Sequence, residues 1–441
     1  MSLFREATHR DLILFINGIR PSTIEAIETY RDRYDKSVKI LILVDQNKVR
    51  LLRELNGIKK NKKVTVVSCN MQSPTQIMKA LKPYMNRLLA ISSQFENSIP
   101  DLKKALPHVP YLNGPTEESL DWTTDKIKMR RLLKAYNPLI TPKFTVVKDS
   151  SIESLEQIKR LVGYPVVVKP SGLASSMLVS ICYHSEELEQ TLKSTFSKLN
   201  RLYKERLGRG TPRVLVEQMM EGRMYSIDCY VNSRGNVYFV PPVYVKTGRE
   251  IGFDDFFGYQ QITPSKLTKP KIDDANYACT EAIKALGMRS TTCHIELMKT
   301  DNRWKIIELA PRMGGFRHTM YSWSFGINHI LNDILIRIPQ KPVIPKKKKG
   351  YTSVFKIFSR TEGRLDLIKG LKKTRALESF VHVTVHKNKG DRLRYAKNGG
   401  SSVLDITLFN KARSDLLADI RRMEKAINIV VEPKRRISST S

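Results

Sequence analysis

Four short runs near the start of the chain are apolar at almost every position. They are "DLILFING" (Asp11–Gly18), "VKILILVD" (Val38–Asp45), "KVTVVSC" (Lys63–Cys69) and "RLLAISS" (Arg87–Ser93). A strand with no polar face is buried on both sides, which calls for a parallel sheet covered by helices on each face. The segments between the runs supply such helices. "RPSTIEAIETYRDRY" has a Pro and a Ser at its start with helical spacing after them, and "PTQIMKALKPYM" follows the same spacing. Together these predict a small α/β unit over residues 1–115, with its boundary near Pro115.

From Gly163 the strand runs lengthen: "YPVVVKP", "MLVSICY", "RVLVEQMM" and "YSIDCYVNSRGNVYFVPPVYV", with "NSRG" (Asn232–Gly235) as a hairpin turn. Helical patterns lie between them, so an α+β region is expected over residues 116–340. A basic, proline-bearing run at 341–349 reads as a linker. Beyond it, 341–441 reads as a smaller α+β unit. A chain of 441 residues exceeds one ordinary core, in keeping with two or three domains.

The net charge of +33 raises nucleic acid as a partner. The basic residues are spread along the chain and no RNA-binding aromatic signature accompanies them, so solvated basic faces are the preferred explanation. Five cysteines without a CxxC pair argue against a disulfide framework or a zinc site. They suit reduced thiols and a cytoplasmic protein. No apolar run reaches spanning length, so no membrane partner is expected.

Chemistry is suggested first by "HIELMKTDNRWKIIELAPRMGG" (His294–Gly315), two apolar runs around a polar turn. With Asp301, Asn302 and Arg303 as the loop, residue 300 pairs with 304, and Glu296 then stands opposite Glu308. Facing carboxylates repel unless a proton, an arginine or a metal compensates. They are good oxygen ligands for Mg²⁺. A hairpin with its polar face in water explains the pair equally well. Arg312 is spaced to hold a phosphate, and Gly314 and Gly315 would let a ligand approach the backbone. In "GYPVVVKPSGLASSMLVSI" a buried strand ends at Lys169, and a small-residue loop follows that can present N–H groups to phosphates. A Lys-Pro pair at a strand end is also simply an exit turn.

In this order, "TTDKIKMRRLL", "YPVVVKPSGLASS", "VLVEQMMEG" and "HIELMKTDNRWKIIELAPRMGG" resemble the ATP-grasp superfamily, of the carboxylate–amine ligase type, over roughly Asp11–Pro339. The last unit is similar to the C-terminal domain of ATP-grasp amino-acid ligases and carnosine-synthase-like enzymes. The resemblance implies an α/β and α+β architecture: an ATP-grasp fold behind a Rossmann-like pre-ATP-grasp domain, with a small C-terminal α+β domain. It implies ATP and Mg²⁺ (or Mn²⁺) as cofactors. Lys126, Lys169 and the loop at Ser175 would meet phosphates. Glu217, Gln218 and the backbone through Met220 would take the adenine. Met224 stands where the family often has a ribose-binding acid, so Glu221 or Asp228 would substitute. Glu296 and Glu308 would bind the metal, with Ala310 where a third ligand, Asn, often stands. Arg312 and Lys169 would act on the transferred phosphoryl group.

Small-molecule carboxylate and amine substrates follow from the same resemblance, and a homodimer is compatible with it. Lys246 and Arg249, in a Gly-rich segment that reads as a lid (Lys246–Pro264), are candidates for substrate contact. So are Gly314, Gly315 and Arg317. The activity implied is amide or peptide bond formation through an acyl phosphate. A catalytically degenerate ATP-binding protein and a basic nucleic-acid-binding protein are the alternatives.

Overall fold

The computed structural model describes residues 10–34, 36–55, 57–58, 61–170, 178–202, 213–301 and 303–432. The chain begins with β1 (Leu12–Ile16), α1 (Ser22–Tyr34), β2 (Lys39–Asp45), α2 (Val49–Leu55), β3 (Val64–Cys69), α3 (Pro74–Leu81), β4 (Leu88–Ser92) and α4 (Ile99–Ala105). The four strands are parallel, in the order β3-β2-β1-β4. Strand alternation sends Ile13, Phe15, Ile40 and Ile42 into one core, and Leu12, Leu14, Leu41 and Leu43 into another on the opposite face. This is why no polar residue interrupts the runs.

Two helices lead out of this unit, α5 (Glu117–Thr124) and α6 (Lys126–Tyr136). Between them, Asp125 caps α6, its Oδ1 accepting from the N–H of Ile127 at 2.9 Å and Lys128 at 3.1 Å. A small antiparallel sheet follows: β5 (Phe144–Val147), α7 (Ile152–Leu161), β6 (Val166–Pro170), β7 (Ser180–Cys182), α8 (Ser185–Leu202) and β8 (Val214–Gln218). Its order is β5-β8-β6-β7. Val166, Val168, Val214 and Val216 face α7 and α8 in one apolar cluster, which leaves Val167, Lys169, Leu215 and Glu217 on the other face.

The large sheet is built from β9 (Arg223–Val231), β10 (Val237–Phe239), β11 (Val243–Thr247), β12 (Gly258–Thr263), α9 (Lys269–Ala285), β13 (Thr291–Lys299) and β14 (Trp304–Ala310). Then come α10 (Arg317–Phe325), α11 (His329–Arg337), β15 (Tyr351–Ile357), β16 (Gly363–Lys369), α12 (Leu371–Arg375), β17 (Phe380–Val385), β18 (Arg392–Leu393), β19 (Leu404–Asn410), α13 (Arg413–Ala426) and β20 (Asn428–Val431). The strand path is β14-β13-β9-β11-β12-β15-β19-β17, with β10 on β9. Pairing therefore continues past residue 341, because β12 and β15 are hydrogen-bonded neighbours. The basic run before β15 is tied down: Val343 N donates to Asn332 at 2.8 Å, and Lys349 N to the Ser324 carbonyl at 2.7 Å.

One face of the large sheet is apolar. Tyr225, Ile227, Cys229, Cys293, Ile295, Leu297 and Ile306 pack there on α9 and on Met129 and Leu133 of α6. The alternate positions of the same strands carry Ser226, Asp228, His294, Glu296 and Glu308. That polar face looks towards the first unit. The helix joining the two is α11, whose nine residues are all buried. Its Ile330, Leu331, Ile334 and Leu335 complete the core over β1 and β2. Among the described residues no helix is long and apolar enough to cross a membrane.

Two buried ion pairs fasten these layers. Asp333 in α11 accepts from Ser92 of β4 at 2.6 Å, Thr292 of β13 at 2.6 Å and Arg337 at 3.1 Å. Burial works against its charge, and Arg337 with the two hydroxyls outweighs that, so its pKa is lowered. Glu217 of β8 is bonded by Arg130 of α6 and by Lys169 of β6. Burial opposes its charge too, but the two cations hold its carboxyl at about 2, against an ordinary 4.5.

Two outcomes are expected. Asp333→Ala strands the buried Arg337, and chemical denaturation should show a loss of about 3–5 kcal/mol. The folded pKa of Glu217 lies below its unfolded value, so its contribution is complete above pH 4.5 and is lost as pH falls through about 2. Glu217→Gln should flatten the acid limb of the stability–pH curve in that window, measured against the wild-type chain.

Candidate functional site

The opposed acids sit where the sequence places them, by a different route. Lys299 pairs with Trp304, Met298 with Lys305 and Leu297 with Ile306, one residue out of the expected register. A β-bulge then inserts Ile307, and the ladder resumes with Glu296 opposite Glu308. The expected pairing of 300 with 304 is thus corrected, with Asn302 outside the described residues. The freed Ile307 carbonyl accepts from Arg130 Nη2 at 2.7 Å.

Both acids are polar-face residues rather than core residues: their side chains are 35% and 36% exposed. Glu308 Oε1 lies 3.6 Å from Lys126 Nζ at the start of α6. Glu296 Oε1 lies 3.5 Å from His294 Nε2. Withdrawal from water works against the charge of Glu296, and His294, Arg312 and Arg317 overcome it, so its pKa is lowered. Among the described residues no three His, Cys, Asp or Glu side chains are grouped to hold a metal unaided. The donor set nevertheless fits Mg²⁺ or Mn²⁺, since two adjacent carboxylates are hard oxygen ligands that such ions complete with water and phosphate.

Towards the small sheet, the polar face of β6 and β8 supplies Lys169 and Glu217, joined at 2.5 Å. Both oxygens of Glu217 are engaged, one by each cation. Its side chain is therefore a clamp between α6, β6 and β8, leaving backbone groups beyond it for a ring. Gln218 is exposed, with its N–H donated to the Lys143 carbonyl at 2.9 Å, and Met220 is half-buried. Glu221 is exposed. Gly222 at φ +147° is forced by space: a Cβ there would lie 2.1 Å from the Lys299 carbonyl oxygen. Ser175 lies outside the described residues.

Several expected site residues take other positions. Asp228 is fully buried, bonded by His294 Nδ1 at 2.7 Å, His329 Nε2 at 2.8 Å and the Gly314 N–H at 2.8 Å. It has no oxygen left for a ribose, which corrects that expectation. Its carboxyl is held far below the usual range: burial raises it, and the two histidines more than reverse this. His294 is raised in return, Asp228 outweighing burial. Arg317 is buried and bonds Gln261 and Ser226, each at 2.5 Å, so it braces the floor rather than reaching a substrate. Gly314 is required by close approach, since a Cβ would meet Arg317 Cγ and His294 Nδ1 at 2.6 Å. Gly315 has open space around it.

The segment Lys246–Pro264 is not a lid loop. It is the end of β11, a turn at Arg249–Ile251, and β12. Strand alternation puts Lys246 on the face opposite Glu296, away from the site. Arg249 Nη2 reaches the hydroxyl of Tyr183 at 2.9 Å. Arg312 is within electrostatic reach of Glu296, but its Nε is bonded to Glu96 of the first unit and its Nη1 to the Met313 carbonyl at 2.9 Å.

Sequence reasoning missed Arg130, His329 and Glu96. Arg130 alone had a signal, its i+4 spacing from Lys126 on one helix face.

Residues 162–320 match the ATP-grasp domain family. An uncharacterized protein of Sinorhizobium fredii (strain NBRC 101917 / NGR234) is 22% identical over 329 residues, 73% of this chain and 64% of that one. A D-alanine–D-alanine ligase of Thermoanaerobacter sp. (strain X514) is 29% identical over 194 residues, 41% of this chain and 48% of that one. The chain thus spans less than two thirds of the length of these curated relatives. Among solved structures, an L-amino acid ligase from Bacillus licheniformis superposes with a TM-score of 0.76 at 19% identity, covering 96% of this chain and all of that one. From the domain match and the fold shared along nearly its whole length, the chain is a member of the ATP-grasp family.

Proposed function

We propose that the chain is an ATP-dependent carboxylate–amine ligase acting on small-molecule substrates. One observation carries this reading. Arg130 connects the two halves of a nucleotide site, bonding Glu217 beside Lys169 and the Ile307 carbonyl beside Glu308. A nucleotide-binding hinge and a carboxylate pair are thereby held at one cleft. The D-alanine–D-alanine ligase and L-amino acid ligase among its relatives support the same class.

In the reaction, an oxygen of the acid substrate attacks the γ-phosphorus of ATP, and the bond to the β-phosphate oxygen breaks. ADP leaves, and an acyl phosphate remains. The amine nitrogen then attacks the acyl carbon, the carbon–oxygen bond to phosphate breaks, and the nitrogen gives up a proton. Charge neutralisation and alignment are the main demands of such a transfer. Glu296 and Glu308 would hold Mg²⁺ or Mn²⁺, which supplies positive charge to the phosphate oxygens. Lys126 and Lys169 would add point charges along the phosphates. Arg312 would turn from Glu96 towards the transferred group, and the backbone from Gln218 to Met220 would border the adenine. Exposed Glu221 is the remaining candidate for the ribose.

The test is ADP release and hydroxamate trapping over a panel of carboxylic acids and amino acids with ATP and Mg²⁺. Nucleotide binding without ADP release across the panel would instead favour a degenerate binder. Glu296→Gln and Glu308→Gln should each slow ADP release by about a hundredfold or more, because a metal's charge on the transferred group is worth several kcal/mol. Lys169→Met should raise the KM for ATP by roughly tenfold, the scale of one charged hydrogen bond. Equal rates in the wild type and the two Gln variants would refute the metal assignment.

A further inference from the structure

The first unit brings its own cation to the site. Arg20 lies between β1 and α1, and its main-chain N–H donates to Gln94 Oε1 at 2.7 Å. Its guanidinium carbon stands 5.3 Å from the centre of the Phe95 ring. Held from both sides in this way, the guanidinium is preorganised. Its Nε is buried and meets no hydrogen-bond partner among the described residues. The same is true of Nδ1 of His318, in the first turn of α10.

These groups act on one another. Burial and the charge of Arg312 push Arg20 down. Burial, Arg20 and His329 push His318 down to about 4, so near neutral pH it is an uncharged imidazole. The acids nearby are committed. Glu96 bonds Arg312, and Asp228 is saturated by two histidines and a main-chain N–H. Like charges gathered in a partly buried place, with donors left unmatched, cost free energy that a bound anion recovers.

Arg312 fixes where that anion sits relative to the reaction. Its charge is felt by Glu296 on one side and by Arg20 on the other. Arg20 is therefore placed beyond Arg312 from the metal-binding acids, outside the position of the reacting carboxyl. A planar guanidinium with an unused edge suits the two oxygens of a carboxylate.

We propose that Arg20, with His318 beside it, binds a second, non-reacting carboxylate carried by a substrate of this enzyme. The inference rests on the ligase reading for the word "substrate", while its test is a binding measurement that needs no turnover. A non-reacting carboxylate has two sources, the acid substrate or an amino acid serving as the amine, and two pairs of probes separate them.

Isothermal titration of the full chain with succinate against propionate tests the acid. Glycine against methylamine tests the amine. In the wild type, at least one carboxylate-bearing member should bind roughly ten- to hundredfold more tightly than its partner, the effect of one charged hydrogen-bonded contact. Arg20→Met should erase that difference, and Arg20→Lys should restore part of it. ATP affinity, unchanged in Arg20→Met, would report that the variant is folded. No preference in the wild type for either pair, or a preference that survives in Arg20→Met, would overturn the proposal. An Arg20-dependent preference in a chain that never releases ADP would uphold this pocket and remove the ligase reading. ADP release with no Arg20-dependent preference would do the reverse.

Discussion

The arrangement depends on one buried carboxylate. Asp228 sits in β9 beneath the polar face, and its two oxygens gather side chains from β13 and α11 and the main chain of the loop after β14. An ionised group with no contact with water survives only when it is fully hydrogen-bonded and faced by positive charge. Here the histidines and the Gly314 N–H meet that demand. In meeting it they fix the plane of His294, which approaches Glu296, and the path of the loop that carries Arg312. The acids that would meet a metal are positioned by an acid that never does.

Sheet alternation then does the sorting. The same strands turn an apolar face to α9 and α6 and a charged face to the cleft, so acids flanked by Ile and Leu in sequence are neighbours of water and lysine in space. The positive charge of the chain has a local meaning here. Lys126, Lys169, Arg130, Arg312 and Arg20 come from separate elements and converge on one cleft, each beside an acid, a carbonyl or an aromatic ring.

The parallel sheet was legible because strands buried on both faces leave no polar residue to blur the pattern. The pairing of Glu296 with Glu308 was legible too, though through two compensating errors: a hairpin one residue out of register and a bulge at Ile307 that resets it. The stretch from Lys246 to Pro264 misled because β12 is polar. Gln260 and Gln261 are buried with side-chain partners, Ser353 and Arg317, that pattern reasoning cannot see. Asp228 was misread for a related reason. Its histidines lie 66 and 101 residues away, so nothing local distinguishes a structural carboxylate from a ribose ligand.

Arg130 has a mechanical consequence. One fully buried guanidinium is bonded at once to the small sheet, through Glu217, and to the edge of the large sheet, through the Ile307 carbonyl. The two sheets are therefore riveted at the base of the cleft. Any separation between them has to pivot about that point, so the cleft widens at its mouth while its floor keeps a constant gap. A ligand that enters is gripped by a jaw whose hinge pin is the same residue that aligns its two binding surfaces.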